Sequence, residues 1–215
     1  MQTALFDLDG TIVDSVPDLA SALNRLMAAR GLGPFTEPEV AAMVGDGASV
    51  LVARALAARG QPPSDAATRE YVTDYTLHAV ERTRPYPGMV ETLGVLRDAG
   101  WRMAVCTNKP ERAARIVLDG LNLSQFFVAV GGGDSFSVRK PEAGHVLGTL
   151  LRAGGTVDDT VMIGDHHNDI ASATAAGVKS VFVAWGYGAR TMGEPASAIA
   201  ESAAELPAII TRLAG

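Results

Sequence analysis

Asp7 and Asp9 stand two residues apart in FDLDGT (Phe6–Thr11), directly after a short apolar run. Charge at the end of a core strand is unfavourable unless something compensates it. In an extended segment, residues i and i+2 face the same side, so the two carboxylates can converge. Farther along come Thr107, Asn108 and Lys109 in VCTNK (Val105–Lys109), and Asp134, Ser135, Arg139 and Lys140 in and after a Gly-rich stretch. Asp165, His166, His167, Asn168 and Asp169 follow in GDHHND (Gly164–Asp169). Asp165 would bring a third carboxylate to the first pair. Left alone, such acids repel and one takes up a proton. A hard divalent cation removes that conflict, and oxygen-only ligands favour magnesium. The ion would also screen a nucleophilic carboxylate, Asp7, from a dianionic phosphate. Lys140 adds a second positive charge, the Thr107 hydroxyl and nearby backbone N–H groups can donate to phosphoryl oxygens, and Asp9 is the partner that moves protons.

Each signal has an ordinary reading when taken alone. Asp-x-Asp-Gly is often a turn, Thr107 could cap a strand end, Lys140 could be a solvated lysine, and Gly164-Asp165 is a common turn pair. The adjacent His166 and His167 hint at zinc, but consecutive residues rarely ligate one metal together and no third His or Cys lies nearby, so they read as loop residues lining the site. Cys106 sits in an apolar run and reads as core. What sets the ordinary readings aside is placement, because the signals fall at successive strand ends.

Those strands are Thr3–Phe6, Arg102–Cys106, Phe127–Val130, Thr160–Ile163 and Lys179–Val183, short apolar runs of the kind that fill buried parallel sheets. Helical spacing lies between or beside them at Met89–Ala99, Glu111–Leu118, Glu142–Arg152 and Asp169–Ala176. Ala203, Leu206, Ile209, Ile210 and Leu213 mark a last helix packed back on the sheet. This alternation predicts an α/β fold, a Rossmann-like doubly wound parallel sheet whose ligands bind beyond the carboxyl ends of the strands. From Val13 to Pro85 the pattern is helical, without strands, over Pro17–Arg30, Ser49–Arg59 and Ala67–Glu81. A crossover of about 70 residues is too long for one connecting helix. It reads as an inserted all-helical domain at 15–85, with the α/β core at 1–14 and 86–215. Gly45-Asp46-Gly47 is the candidate loop from that insert toward the site, with a plain helix connector as the equal alternative.

Composition narrows the partners. Of the 215 residues, 47% are hydrophobic and 20% charged, ordinary values for a globular enzyme. Eighteen basic residues against 24 acidic ones give a net charge of -6, and no stretch concentrates Lys and Arg. A nucleic-acid or anionic-membrane surface is therefore not expected. The single cysteine excludes an intrachain disulfide and suits a reducing compartment. The opening MQTALFDLDG shows no signal-peptide pattern, and no apolar run approaches the roughly 18–20 residues of a membrane span. The cytoplasm is the expected location.

In order along the chain, FDLDGT, VCTNK, RKP (Arg139–Pro141) and GDHHND resemble the four motifs of the haloacid dehalogenase-like superfamily, whose helical cap falls where the insert is inferred. VGDGASVLVARAL (Val44–Leu56), PYPGMVETLGVLRDAG (Pro85–Gly100) and TNKP (Thr107–Pro110) are most similar to its phosphoglycolate phosphatase group, although sugar- and aminosugar-phosphate phosphatases share such segments. The resemblance implies that Asp7 is the nucleophile of an aspartyl-phosphate reaction. It implies that Asp9 is general acid and then general base, and that Thr107, Asn108 and Lys140 hold the phosphoryl group. Asp7, Asp165 and the Asp9 carbonyl would bind Mg2+, and Asp169 would support the metal's waters or orient Lys140. The implied activity is hydrolysis of a small phosphate monoester, 2-phosphoglycolate first among candidates. His166 stands where a small residue is common, and Glu142-Ala143 replaces a proline-containing continuation.

Three other classes compete. A phosphomutase shares the whole site and passes the phosphoryl group to a second hydroxyl. A dehalogenase needs no magnesium and leaves Asp9 and Asp165 without a task. A binding module that only recognises a phosphorylated ligand would be expected to carry a degraded site, whereas this one is complete.

Overall fold

A computed structural model describes residues 1–214. The chain runs through β1 (Thr3–Phe6), β2 (Val13–Asp14), α1 (Val16–Ala28), α2 (Glu37–Ala41), α3 (Ala48–Ala57) and α4 (Asp65–His78). It continues through β3 (Arg84–Pro85), α5 (Met89–Asp98), β4 (Arg102–Cys106), α6 (Glu111–Gly120), β5 (Ala129–Gly131) and α7 (Ala143–Ala153). It ends with β6 (Thr160–Gly164), α8 (His167–Ala175), β7 (Lys179–Val183), β8 (Ala198–Ala200) and α9 (Leu206–Ala214). A six-stranded sheet has the order β5-β4-β1-β6-β7-β8 with every pairing parallel. The fold is the expected doubly wound α/β type.

Strand alternation sorts the apolar side chains to the two faces of the sheet. Leu5, Ala104, Cys106 and Met162 share a buried cluster on the side of α7 and α8. Ala4, Phe6, Met103, Val105, Val161 and Ile163 belong to a larger cluster that extends into the helices between β2 and β3. Because β1 has β4 on one side and β6 on the other, the chain diverges at its end and leaves a crevice there. Register aims the chemistry at that crevice. Phe6 is level with both Val105 and Ile163, so Asp7, Thr107 and Asp165 all emerge just past one edge.

Helix α4 packs on both α1 and α3, and α2 packs on α1. Their starts are written locally. Pro17 sits in the first turn of α1, where no intrahelical N–H is needed. Thr36 and Glu39 form a reciprocal capping box at α2, and the Ser64 hydroxyl accepts the Ala67 N–H at α4.

The structure corrects the sequence reading in several places. Segment 13–85 is not free of strands, because β2 and β3 form a small antiparallel ribbon where the chain leaves and re-enters the core. Two-residue strands carry no period, and their pairing is set by the surrounding fold. Five-residue α2 and three-residue β8 are too short for periodicity as well. The strand expected at Phe127–Val130 lies at Ala129–Gly131. Among the described residues, no helix is long and apolar enough to cross a membrane.

Candidate active site

Asp7 is the first residue past β1, and one of its carboxylate oxygens is pinned. Asp7 Oδ1 accepts the Leu8 N–H at 2.7 Å and lies 3.2 Å from Lys140 Nζ, leaving the other oxygen without a hydrogen bond among the described residues. Lys140, on the loop between β5 and α7, is buried, and its ammonium uses its donors on the Cys106 carbonyl (2.6 Å), Asp169 Oδ1 (2.5 Å) and the Asp7 carboxylate. Burial alone would push that ammonium toward neutrality, but Asp169 and then Asp7 outweigh it and hold it charged, well above the ordinary lysine value.

Asp165 follows β6. Its Oδ1 accepts the Thr11 hydroxyl at 3.0 Å, and its Oδ2 accepts the N–H groups of Tyr187 at 2.8 Å and Gly188 at 3.4 Å. Burial, then the negative charges of Asp169 and Asp7, push this carboxyl up to about 8. Asp169, in the first turn of α8, is pushed up to about 7, by burial first, with Asp7 adding to that and Lys140 opposing it. Asp7, Asp165 and Asp169 bring carboxylate oxygens within 4.8 Å of one another, all buried. Three acids held so close, with one lysine among them, suit a bound cation, and the oxygen-only donor set fits magnesium.

Gly10 shows how tightly this corner is built. Its φ is +83°, and a Cβ there would enter the Asp165 carboxylate. Only glycine fits both the turn and the approach.

Asp9 departs from the reading in which its side chain converges with Asp7 and Asp165, for it does not belong to the carboxylate cluster. The strand ends at Phe6, and a tight turn follows in which the N–H groups of Thr11, Ile12 and Val13 all reach the Leu8 carbonyl. The period-2 argument ends there. Asp9 instead accepts the Ser15 hydroxyl at 2.6 Å and pairs both oxygens with Lys109 Nζ at 2.9 Å.

Thr107 is buried past β4, its Oγ1 accepting the Lys109 N–H at 3.2 Å. The Asn108 side-chain amide donates to the carbonyls of Lys140 and Gly45, both at 3.0 Å, so it ties the loop before α3 to the core. Gly45-Asp46-Gly47 reaches the core at two further points. Asp46 Oδ1 accepts the Asn168 amide at 2.7 Å, and a Cβ on Gly45 would lie 2.8 Å from the His166 ring. His166 caps α8 by accepting the Asn168 N–H, and burial, then His167, push it down to about 4. His166, His167 and Asp46 form a second group with ligand atoms within 4.8 Å of one another. The third ligand type absent from the local sequence arrives from a loop about 120 residues away. Cys106 is fully buried, and burial pushes its thiol up to about 11.

Several contributors escape sequence reasoning. Lys109 is placed at the end of β4 by the sequence, but its pairing with Asp9 is not. Tyr187 serves Asp165 through its N–H, while its hydroxyl accepts the Ser15 N–H at 2.7 Å and donates to Asp14 at 2.9 Å. Tyr71 and Tyr75 from α4 line the same cavity as Asp7, Asp9 and Lys109. Their only sequence signal is helical spacing, which reads as core.

Comparison with known proteins agrees with this geometry. Residues 4–183 match the model of the haloacid dehalogenase-like hydrolases. Phosphoglycolate phosphatase of Agrobacterium fabrum is 43% identical over 216 residues, covering 98% of this chain and 93% of that protein. A phosphoglycolate phosphatase of Cereibacter sphaeroides is 36% identical, covering 99% of each. A crystal structure from Haemophilus somnus, described as a predicted phosphoglycolate phosphatase, superposes with a TM-score of 0.88 at 27% identity, covering 97% of each chain. The chain belongs to the haloacid dehalogenase-like hydrolase family.

Proposed function

We propose that this chain hydrolyses 2-phosphoglycolate to glycolate and inorganic phosphate through an aspartyl-phosphate on Asp7. In enzyme class it is a phosphoric monoester hydrolase. The free oxygen of Asp7 attacks phosphorus while the bond to the glycolate oxygen breaks, and Asp9 gives that oxygen its proton. In the second half, Asp9 takes a proton from the water that attacks phosphorus, and Asp7 is released. The Thr107 hydroxyl holds a phosphoryl oxygen, and Lys140, kept in place by Asp169, trades its contact with Asp7 for one to the phosphoryl group. Magnesium bound by Asp7, Asp165 and the Asp9 carbonyl would screen the carboxylate nucleophile from the phosphate dianion. Segment 15–85 serves as a cap that closes the cavity and excludes water.

The shape and lining of the cavity carry the choice of substrate. It has a volume of about 50 Å³, room for a few waters or a small fragment. Leu19, Val44, Leu51 and Val72 give it apolar walls, among the described residues Lys109 is the one Lys or Arg lining it, and the buried Lys140 pairs with Asp7 of its lining. A hexose or aminosugar would bury several hydroxyls against those walls at about 1–3 kcal/mol for each one left unpaired. The same cost weighs against a sugar phosphomutase. A two-carbon leaving group with one negative charge fits.

The test is purified protein with magnesium against a panel of 2-phosphoglycolate, hexose phosphates, aminosugar phosphates and nucleotides, with Asp7→Asn as control. The proposal expects 2-phosphoglycolate to give the highest kcat/KM with release of inorganic phosphate. A better sugar phosphate, an isomerised sugar, or turnover no higher than that of Asp7→Asn overturns it.

A further inference from the structure

Two groups in the cavity are left over by this chemistry. The hydroxyls of Tyr71 and Tyr75 are buried and have no hydrogen-bond partner among the described residues. Such a hydroxyl is a net cost to the folded chain, so its retention calls for an explanation. The two rings come from one face of α4, at i and i+4, and stack with centroids 6.2 Å apart. Both line the cavity that holds Asp7 and Asp9.

Lys109 completes the group. Its Nζ lies 4.3 Å from the Tyr75 ring centroid while contacting both oxygens of Asp9. Burial, reinforced by Tyr75 at Tyr71 and by Asp9 at Tyr75, holds both phenols far above their usual range. They therefore stay protonated as O–H donors near neutral pH. Tyr71, Tyr75 and Lys109 thus line one cavity together with Asp7 and Asp9, and bring to it two phenol donors and an ammonium. Such a set asks for a compact, acceptor-only group.

We infer that Tyr71, Tyr75 and Lys109 form the subsite that reads the carboxylate of the leaving group. This rests on the reading of the chain as a phosphoglycolate hydrolase and names the residues that would make it selective. The carboxylate supplies the acceptors the phenols lack. A neutral alcohol of the same length offers one uncharged oxygen in place of two charged ones, so it pairs the two phenols less fully and more weakly.

The experiment compares 2-phosphoglycolate with 2-hydroxyethyl phosphate, which replaces the carboxylate by CH2OH. Both esters are assayed with wild type, Tyr71→Phe, Tyr75→Phe and the double change, and melting temperature is followed in parallel. Each single variant is expected to lose about 10–100-fold in kcat/KM on 2-phosphoglycolate, the usual scale for one hydrogen bond to a charged group, and the double variant more than either. On 2-hydroxyethyl phosphate the double variant is expected to change by less than about threefold, since no charged partner is lost. Its melting temperature should hold or rise, because unpaired hydroxyls have been removed. Equal losses on both esters, or a melting temperature that falls with them, would mean a structural role and overturn the inference. A wild type that prefers 2-phosphoglycolate, with Phe variants that keep the preference, overturns the subsite alone. A wild type without that preference overturns the substrate reading and the subsite together.

Discussion

The floor and the roof of the cavity are built on opposite terms. On the floor, Lys140 meets Asp169, Asp7 and the Cys106 carbonyl, while Asp165 takes donors from Thr11, Tyr187 and Gly188. On the roof, where α4 lines the cavity, the hydroxyls of Tyr71 and Tyr75 have no partner among the described residues, and neither has Asn108 Oδ1 in the loop after β4. Apart from the free Asp7 oxygen that would attack, the floor network has its groups paired and holds its dipoles fixed before the reaction begins, as stabilising a phosphoryl group requires. An unsaturated one leaves room for a ligand to complete it. The floor suits chemistry common to many phosphate esters, and the roof suits the choice among them.

The contrast is tested most severely at Lys140. Lys140→Ala leaves Asp7, Asp165 and Asp169 buried without their cation. It should abolish turnover and cost about 3–5 kcal/mol of stability, the scale for breaking a buried ion pair from one side. Urea denaturation beside an activity assay reads both. Stability within about 1 kcal/mol of wild type would show that the floor is not the tense network described. Asp9→Asn separates chemistry from architecture. Turnover should fall by about 10²–10⁴-fold, the range for a positioned acid–base group. Full activity would remove Asp9 from the mechanism.

Proton linkage gives the next effect. Asp165 is pushed up to about 8 from an ordinary 3.8. Between those values the metal-free fold holds a proton that the unfolded chain has released, so stability must fall as pH rises through that window. Asp169, pushed up to about 7, adds in the same direction. Melting temperature in excess EDTA should therefore drop steadily from pH 5 to pH 8. Excess magnesium should add little near pH 5 and most near pH 8, where the acids are free to bind it. A magnesium effect that is the same across this range would break the link between cation and carboxylate crowding.

The same division decides what the sequence makes readable. Floor residues sit at strand ends, where apolar runs, short loops and successive acids locate them without knowledge of packing. Asp7, Thr107, Lys140 and Asp165 are legible for that reason. The parallel sheet is legible too, because β1, β4, β6 and β7 are continuous apolar runs. The sequence brings the Asp9 side chain to Asp7 and Asp165 because the period-2 rule carries no sign that the strand ends at Phe6. Tyr71 and Tyr75 belong to a helix whose spacing says only that one face is buried, and burial against a core is written the same way as burial against a ligand. Tyr187 and Asp46 act across gaps of 22 and 122 residues. No local pattern records such pairings. The ribbon of β2 and β3 is hidden likewise, being made by the fold rather than by propensity.

Gly45 is the smallest and most selective probe of the boundary between the two regions. Its φ of +119° is one that side chains rarely adopt, and a Cβ would lie 2.8 Å from the His166 ring. Its carbonyl accepts from both Asn108 and Asn168, at 3.0 and 3.2 Å. Gly45→Ala must therefore shift the loop and loosen the roof, while it removes no side chain that Lys140 or Asp165 pairs with. Backbone strain of this kind costs about 1–3 kcal/mol. If closure of the roof bears that cost, KM for the preferred ester rises by about 5–100-fold, with kcat changed far less than in Asp9→Asn. An unchanged KM would mean that this loop does not couple roof to floor. A collapse of kcat at constant KM would place it in the reacting constellation itself and erase the division drawn between the two.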